Sequence, residues 1–168
     1  MTNKGWLVAL GGLIAVLYAT SAQANFSPGD AFAFLTTGLT RGERNNNPGN
    51  IKFSSGNNWQ GQTGVDSSGF VIFDTAINGI RAIGKVLLSK FGRGLNTVAS
   101  VISDYSQTDV SVYINNVANS LGVNPNDIIN LNDSGTLFGF VLAIIQQENG
   151  RINYAMADIA KGVNNAIG

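Results

Sequence analysis

The sequence predicts a mostly α domain of the α+β class, with a small antiparallel sheet near its start. Three observations predict this class. From Thr75 onward, apolar residues recur at helical spacing between residues that favour helix caps. One of these segments, residues 136–145, is apolar on all sides, which is typical of a buried central helix. Before Thr75 there are two short β-prone runs, residues 51–53 and 70–73.

An N-terminal hydrophobic helix is predicted within residues 5–24. Lys4 precedes an uncharged apolar run, and Ala22-Gln23-Ala24 follows it, which is the pattern of a secretory signal peptide. A retained membrane anchor fits equally well, because residues 5–24 would span about 30 Å as a helix. The charge of Lys4 then places the N-terminus on the cytoplasmic or interior side. We therefore predict a signal peptide or anchor over residues 1–24 and one domain over residues 25–168.

The first elements of that domain are predicted from Pro, Asn and Gly. Pro28 after Ser27 favours the start of a helix that continues through Leu35. Residues 41–50 have the composition of a turn-rich loop. The glycines between the two β-prone runs indicate that the sheet is irregular.

The later elements are predicted from caps and apolar spacing. Pro125 is expected to open a short helical turn through Ile129, and the apolar central helix should end at Gly150. The expected N-terminal caps are Thr97, Asp109, and Asp133 or Ser134. The last helix is predicted from the apolar residues Met156, Ile159, Val163 and Ile167.

The composition excludes several kinds of chemistry. The chain has no histidine and no cysteine, so it has no thiol nucleophile, no imidazole base and no Cys/His zinc site. Proton transfer must therefore fall to carboxylates, lysines or tyrosines. The formal net charge is zero, which argues against nucleic-acid binding by a basic surface. No phosphate-binding fingerprint is present. We predict no metal and no cofactor.

Glu148 is the first candidate catalytic residue. It stands at the C-terminal end of the helix expected to be most buried. Burial and the negative end of the helix dipole both raise the pKa of a carboxyl group, as a general acid requires. The alternative is a solvated residue of the last turn, but the dipole disfavours an acid there. Asn149 and Gly150 turn the chain away and leave the carboxyl at a surface opening.

Glu43 is the second candidate. It lies between Arg41 and Arg44, which would hold it ionised and lower its pKa. That environment suits an electrostatic stabiliser or a base better than an acid. The alternative is a salt-bridged loop residue with no part in chemistry.

Side-chain amides and aromatic rings supply the candidate substrate-binding residues. Amides donate and accept hydrogen bonds, so they suit sugar hydroxyls and N-acetyl groups, although a loop can also use them on its own backbone. Trp59 follows a Gly-Asn-Asn loop and could stack on a sugar ring or lie in the core of the sheet. The predicted substrate-binding residues are Asn46, Asn47, Asn50, Trp59, Asn149 and Tyr154.

These stretches resemble a known family. Together they are similar to bacteriophage and prophage virion proteins of the lysozyme superfamily, the muralytic lytic transglycosylases carried in virions. The resemblance covers residues 41 to about 155, and the Asn-rich block is its most specific part. The matching stretches are Arg41-Gly-Glu-Arg-Asn-Asn-Asn-Pro-Gly-Asn-Ile51, Trp59-x-Gly61, Asp66, Phe70-x-x-Phe73, Gly79-Ile-Arg-Ala82 and Ala143-Ile-Ile-x-x-Glu-Asn-Gly150.

The resemblance implies a lysozyme-like fold and a catalytic glutamate. In glucosaminidase-type muramidases that resemble the Asn-rich block, the glutamate precedes the sheet, whereas Glu148 follows it. A circularly permuted lysozyme-like arrangement would reconcile the two orders. The implied reaction is cleavage of the β-1,4 bond between N-acetylmuramic acid and N-acetylglucosamine, with Glu148 as acid and base. If Glu43, Asp66 or Asp74 lies across the cleft, a two-carboxylate muramidase is possible instead.

Three functional hypotheses follow. The first is a peptidoglycan-cleaving lytic transglycosylase or muramidase, associated with a virion and used for local wall opening during phage entry. The second is a non-catalytic structural or wall-binding virion membrane protein on a lysozyme-like scaffold. The third is a host periplasmic enzyme. The expected partners are peptidoglycan, a membrane through residues 5–24 and other virion proteins, and no nucleic acid.

Overall fold

Helices dominate the part of the chain that the structure describes. This structure is a computed structural model, and it describes residues 8–10, 13–15, 38–106 and 109–168. In those residues it contains six helices and two small antiparallel sheets. The predicted mostly helical α+β class is confirmed.

The N-terminal unit of the chain, residues 1–37, is described only at two short strands. β1 (Val8–Leu10) and β2 (Leu13–Ala15) pair antiparallel, with Leu10 opposite Leu13. The sequence between them is Gly-Gly, a hairpin signal that the prediction of an N-terminal helix overlooked. The rest of the predicted signal or anchor, and the predicted helix from Pro28 to Leu35, lie outside the described residues. No helix in the described residues is long and apolar enough to cross a membrane.

The second unit, residues 38–168, begins with a short helix where the sequence predicted a loop. α1 (Arg41–Arg44) exists because Thr40 and Glu43 form a reciprocal capping box. The backbone N–H of Glu43 donates to the Thr40 hydroxyl, and the backbone N–H of Thr40 donates to the Glu43 carboxylate. A capping box satisfies donors that a helix start otherwise leaves unpaired.

The small sheet consists of β3 (Gln62–Val65) and β4 (Val71–Phe73). They pair antiparallel, with Val65 opposite Val71 and an irregularity between Gln62 and Gly64. β4 confirms the second β-prone run. The first run, residues 51–53, is not a strand and forms only an isolated bridge, between Lys52 and Phe70, the residue just before β4. β3 was not predicted, because Gln-Thr-Gly-Val lacks an apolar alternation.

α2 (Ala76–Gly92) is the longest helix described, and it packs along α6 (Met156–Ile167). The helix begins after Thr75 as predicted, and Thr75 caps it, because its side chain accepts from the backbone N–H of Asn78. In α6 the predicted positions Ile159 and Val163 are buried. Met156 and Ile167 are instead 54% and 46% exposed, and Gly162 and Ala166 complete the buried face. Small residues at these positions let the two helices approach closely.

Thr97 caps α3 (Val98–Tyr105) as predicted, with Ser100 completing a capping box. α4 (Val110–Leu121) follows Asp109 as predicted, but the Asp109 side chain makes no capping hydrogen bond and its φ is 47°. The predicted cap at Asp109 is therefore wrong, although the helix boundary is right.

The predicted helical turn from Pro125 to Ile129 is wrong. These residues form a turn and an isolated bridge between Thr97 and Ile128. Their backbone groups pair outward, since Ile129 N–H donates to the carbonyl of Asn96 and Ala99 N–H donates to the carbonyl of Pro125. The tertiary contacts replace the hydrogen bonds that a helix would need.

α5 (Ser134–Asn149) is the central helix, as predicted. Asp133 caps it by accepting from the backbone N–H of Thr136, and Gly150 ends it in a left-handed conformation. Its side chains contact α1, α2, α4 and α6. Leu137, Phe140 and Ile144 have no exposed surface. α5 therefore carries Glu148, in its last turn, from the core to the edge of the domain.

Gly79 in α2 is the position where we expect a single added methyl group to disturb the fold most. A Cβ at Gly79 would overlap the carbonyl oxygen of Asn46, whereas a Cβ at Gly92 in the same helix meets nothing within 4 Å. We expect Gly79→Ala to lower the free energy of unfolding by about 1–3 kcal/mol. Gly92→Ala should leave it unchanged or raise it slightly, by helix propensity. Urea unfolding of both variants measures this, and equal stability of the two would refute the close packing of α2 on the loop.

Candidate functional site

The carboxylate of Glu148 lies where the C-terminal end of α5 meets α4 and the Asn-rich loop, residues 45–50. One oxygen, Oε2, accepts a hydrogen bond of 2.9 Å from Nδ2 of Asn50. The other, Oε1, accepts one of 3.0 Å from the hydroxyl of Tyr113. The side chain is half-buried. In the described part of the chain no lysine or arginine forms an ion pair with Glu148. Neutral donors therefore hold this carboxylate in place while leaving it partly open to solvent.

Asn50 reaches Glu148 because of an unusual backbone conformation. Its φ is 46°, in the left-handed region that asparagine tolerates better than most residues. Its backbone N–H donates to the carbonyl of Asn47. The Oδ1 atom of Asn50 is buried and has no hydrogen-bond partner among the described residues. This predicted substrate-binding residue thus contacts the candidate acid directly.

Tyr113 lies on the buried face of α4, beside Tyr105 of α3. The two rings meet edge to face with centroids 6.3 Å apart, and the Tyr105 hydroxyl donates to the carbonyl of Gly49 at 2.8 Å. Burial is the main reason that the pKa of each tyrosine is raised, and the charge of Glu148 raises both further. Tyr113 is therefore a protonated hydrogen-bond donor to Glu148 at neutral pH.

Asn149 fastens the end of α5 to the Asn-rich loop. Its Nδ2 donates to the carbonyls of Pro48, at 2.7 Å, and Ile145, at 3.0 Å. Its Oδ1 accepts from the hydroxyl of Thr40 at 2.8 Å. The side chain is buried, and a Cβ on Gly42 would overlap it. The predicted sugar contact of Asn149 would require breaking these hydrogen bonds, so its amide serves to hold the loop.

The amides of Asn46 and Asn47 also bind backbone groups. Asn46 Nδ2 donates to the carbonyls of Phe73 and Asp74, at 3.1 and 3.2 Å. Asn47 has no exposed surface; its Nδ2 donates to the carbonyls of Ile51 and Val71, and its Oδ1 accepts from the Ile51 N–H, all at 2.9 Å. Asn47 is occupied on every side and ties the loop to the sheet. Asn46 is half-buried, and its predicted role in binding stays a prediction.

Glu43, the second catalytic candidate, is held in an ion pair. Arg151 donates from Nε to Oε1 of Glu43 at 3.0 Å and from Nη2 to Oε2 at 2.8 Å, and Asn153 donates to Oε1 at 3.0 Å. The side chain of Glu43 is 5% exposed. Arg41 and Arg44, expected as its partners, lie elsewhere: Arg41 stacks over the Phe70 ring at 4.3 Å, and Arg44 donates to the carbonyl of Leu39. The expected lowered pKa is confirmed, but its cause is Arg151.

The Glu43 ion pair should make stability depend on pH. The Arg151 hydrogen bonds, aided by the Thr40 N–H and against the opposing effect of burial, lower the pKa of Glu43 from 4.5 to about 2. A lowered pKa stabilises the fold above pH 4.5 and loses that contribution as the pH falls towards 2. We expect Glu43→Gln to cost about 1–3 kcal/mol at pH 7. The difference from the unsubstituted protein should shrink in urea unfolding as the pH falls through this window. A pH-independent difference would contradict the ion pair.

Tyr154 lies close enough to this ion pair for the charges of Glu43 and Arg151 to act on it. Burial raises its pKa to about 12, with the Glu43 charge raising it further and Arg151 opposing. Its hydroxyl and the indole N–H of Trp59 are buried and have no partner among the described residues. Trp59 is half-buried and packs against the core. Sugar binding by Trp59 and Tyr154 stays a prediction.

The remaining acids near the sheet are bound locally. Asp66 accepts from Asn45 and from the backbone N–H groups of Ser68 and Phe70, and Asp74 accepts from Asn78. These hydrogen bonds lower the pKa of both carboxyls. Across the described residues, no group of three or more acidic side chains is close enough to hold a metal ion.

Two shallow depressions mark the surface of the helical part, with volumes of about 400 and 500 Å³. Neither is lined by Glu148 itself, but the first is lined by its neighbour Gln147. The surface opening expected at Glu148 is therefore not one of these two depressions.

Sequence reasoning missed two of the residues that surround Glu148. Neither Tyr113 nor Tyr105 is among the site residues predicted from the sequence. One signal was available: a tyrosine on the buried face of a helix needs a partner for its hydroxyl. The partner could not be named, because Tyr113 and Glu148 are 35 residues apart in the chain.

Comparison with known proteins gives one informative match. The chain is 37% identical over 129 residues to protein P5 of Pseudoalteromonas phage PM2. The match covers 73% of this chain and 79% of P5. No family model matches the chain.

Proposed function

The chain belongs to the family of protein P5 of Pseudoalteromonas phage PM2, and on that premise we propose that it is a phage enzyme that cleaves peptidoglycan. The bond that it cleaves is the β-1,4 linkage between N-acetylmuramic acid and N-acetylglucosamine. It is carried in the virion, associates with a membrane through residues 5–24, and opens the wall locally during entry. Its substrate is the peptidoglycan glycan strand.

The observation that carries this proposal is the environment of Glu148. Its carboxylate is partly open to solvent, fixed by Tyr113 and Asn50, and without an ion-pair partner among the described residues. A general acid must be held in one geometry and yet be free to exchange a proton with the substrate. Glu43 offers the opposite environment, because Arg151 binds both of its oxygens.

A single carboxyl group is enough for a lytic transglycosylase. Protonated Glu148 donates its proton to the glycosidic oxygen as the bond from that oxygen to C1 of N-acetylmuramic acid breaks. The 6-hydroxyl of the same sugar then attacks C1, and its proton passes to Glu148. The products are a shortened glycan with a free 4-hydroxyl and a 1,6-anhydro end, and Glu148 returns to its protonated state. Tyr113 and Asn50 position the carboxyl throughout.

The state of the other acids favours this route over a two-carboxylate hydrolase. Hydrolysis of a glycosidic bond normally needs a second carboxylate about 5–9.5 Å from the first. The oxygens of Glu43, Asp66 and Asp74 already accept hydrogen bonds from residues of their own surroundings, and Arg151 binds both oxygens of Glu43. None of them shares a hydrogen-bond partner with Glu148. The alternative reaction is hydrolysis by a muramidase, and analysis of the products distinguishes it from the transglycosylase reaction.

The scaffold we propose is lysozyme-like and circularly permuted. The order of elements supports it: the Asn-rich loop and the sheet come first, and the central helix that ends in Glu148 comes afterwards. Asn50 and Asn149 nevertheless bring the loop and the helix end together. A circular permutation would change the order of the loop, the sheet and the helix along the chain. It would keep the contact in space between the loop and the helix end.

The second candidate is a non-catalytic, wall-binding virion protein. The observation in its favour is that Glu148 lines neither of the two depressions described. A binding protein would need no cleft at the acid.

Incubation of the purified full chain with purified peptidoglycan separates these functions. We expect the protein to sediment with the wall and to release soluble glycan fragments over time. Sedimentation without any released fragments would favour the binding protein. The matched control is boiled protein at the same concentration.

A further inference from the structure

The first of the two depressions described above is an uncharged polar groove between α4 and α5, beside the candidate catalytic residue. We call it the amide groove. Its volume is about 400 Å³, within the range of small-molecule sites. Among the residues that the structure describes, no charged or aromatic side chain lines it. α4 contributes Asn116, Asn119 and Ser120, and the end of α5 contributes Ala143, Gln146 and Gln147, with Gly150 closing the far side.

The groove begins one helical turn from Glu148. Tyr113 and Asn116 are neighbours three residues apart on α4, and their partners on α5 are Glu148 and Gln147. The Asn116 amide donates to Oε1 of Gln147 at 2.8 Å, directly beside the bond from Tyr113 to Glu148. A chain of sugars whose scissile bond lies at Glu148 can therefore continue along the α4–α5 groove.

Several polar atoms of this amide groove remain available to a ligand. The hydrogen bond of Gln147 uses its Oε1, which leaves its amide N–H groups as donors. Gln146 donates to the carbonyl of Gly150 at 2.8 Å, which leaves its Oε1 as an acceptor. The Asn119 side chain is exposed and forms no hydrogen bond within the described residues. The groove thus offers both donors and acceptors, and no charge.

We propose that this amide groove is a subsite for an uncharged N-acetylated sugar, N-acetylglucosamine, next to the bond cleaved at Glu148. The proposal rests on the proposed glycan-cleaving function. An acetamido group has one donor and one acceptor, which the free amides of the groove can pair. In peptidoglycan the lactyl group of N-acetylmuramic acid carries the stem peptide through an amide bond, and the carboxylates of that peptide would find no cation in the lining. Alternation along the strand then places N-acetylmuramic acid, with its 6-hydroxyl, at Glu148.

The test is binding of tri-N-acetylchitotriose to full-length Glu148→Gln protein labelled with nitrogen-15. This variant separates binding from cleavage. We expect the side-chain amide resonances of Asn116, Asn119 and Gln146 to shift in a saturable manner. Cellotriose, which lacks the acetamido groups, should bind at least about tenfold more weakly, since two or more amide hydrogen bonds are lost.

Substitutions in the groove provide a second measurement. Asn119→Ala combined with Gln146→Ala should raise the Kd for tri-N-acetylchitotriose about tenfold. Asn164→Ala, which removes an exposed asparagine on α6, is the matched control and should leave the Kd unchanged. Shifts confined to residues outside the groove, equal affinity for cellotriose, or an unchanged Kd in the double variant would overturn the proposal.

The failure of this subsite is distinguishable from failure of the proposed function. If the protein cleaves peptidoglycan and the groove amides do not respond to the sugar, the subsite is wrong and the enzyme stands. If the amides respond and no glycan fragments are released by unsubstituted protein, the groove is a wall-binding site and the enzyme is wrong.

Discussion

Replacing Glu148 with glutamine is expected to abolish muralytic activity while the domain stays folded. General acid–base catalysis contributes about 10²–10⁴-fold to rate, and glutamine cannot transfer a proton. The substitution keeps the size of the side chain, and its amide can still accept from Asn50 or Tyr113. The loss should therefore come from chemistry and not from folding.

A zymogram containing purified peptidoglycan measures this loss. Circular dichroism and urea unfolding of the same samples show whether the fold is retained. The matched control is Asp158→Asn, which makes the same chemical change at an exposed position on α6 and should retain full activity. Glu43→Gln should reduce activity less than Glu148→Gln, since Glu43 acts through the ion pair with Arg151. Full activity in the Glu148→Gln protein would contradict the assignment of Glu148 as the catalytic acid.

Asn47→Ala is expected to be the most destabilising substitution in the Asn-rich loop. It removes one acceptor and two donated hydrogen bonds at a site with no exposed surface. A buried polar group left without a partner costs about 1–3 kcal/mol. We expect a loss of about 3 kcal/mol in the free energy of unfolding, because the groups left behind belong to the backbone of Ile51 and Val71.

Asn58→Ala is the matched control for this experiment. Asn58 is exposed in the loop before β3, and its substitution should change stability by less than about 0.5 kcal/mol. Urea unfolding followed by tryptophan fluorescence measures both variants, because Trp59 packs against the core. A loss below 1 kcal/mol in Asn47→Ala would mean that the Asn47 hydrogen bonds do not hold the loop to the sheet.

The parts of the fold that the sequence predicted well are those encoded within a few residues. Thr97 and Asp133 cap helices as expected, because an N-cap needs only a backbone donor two or three residues ahead. The central position of α5 followed from its uniform apolarity. In contrast, the turn at residues 125–129 is held by backbone partners at Asn96 and Ala99, which local propensity does not reveal.

The candidate site could be predicted only in part, for the same reason. The position of Glu148 at the end of α5 followed from the helix boundary. Its partners did not, because Asn50 is 98 residues away and Tyr113 is 35 residues away. The preference of Glu43 for ionisation was predicted correctly, but Arg151, its partner across the fold, was not.

The Asn-rich block shows how one composition supports two roles. From the sequence alone, the side-chain amides of this block could hydrogen-bond either to a sugar or to the backbone of their own loop. The structure divides them: Asn47 and Asn149 are buried and bind backbone carbonyls, and Asn50 faces Glu148. A sequence pattern identifies the amides, whereas burial decides which of them a ligand can reach.

The most direct test of the central claim is mass spectrometry of the fragments that the full-length protein releases from purified peptidoglycan. Our account predicts fragments that end in 1,6-anhydro-N-acetylmuramic acid, and none from the Glu148→Gln protein under the same conditions. Fragments that end in reducing N-acetylmuramic acid would assign the two-carboxylate muramidase reaction. The account would be contradicted by no released fragments, by fragments with N-acetylglucosamine at the new reducing end, or by cleavage of the peptides alone.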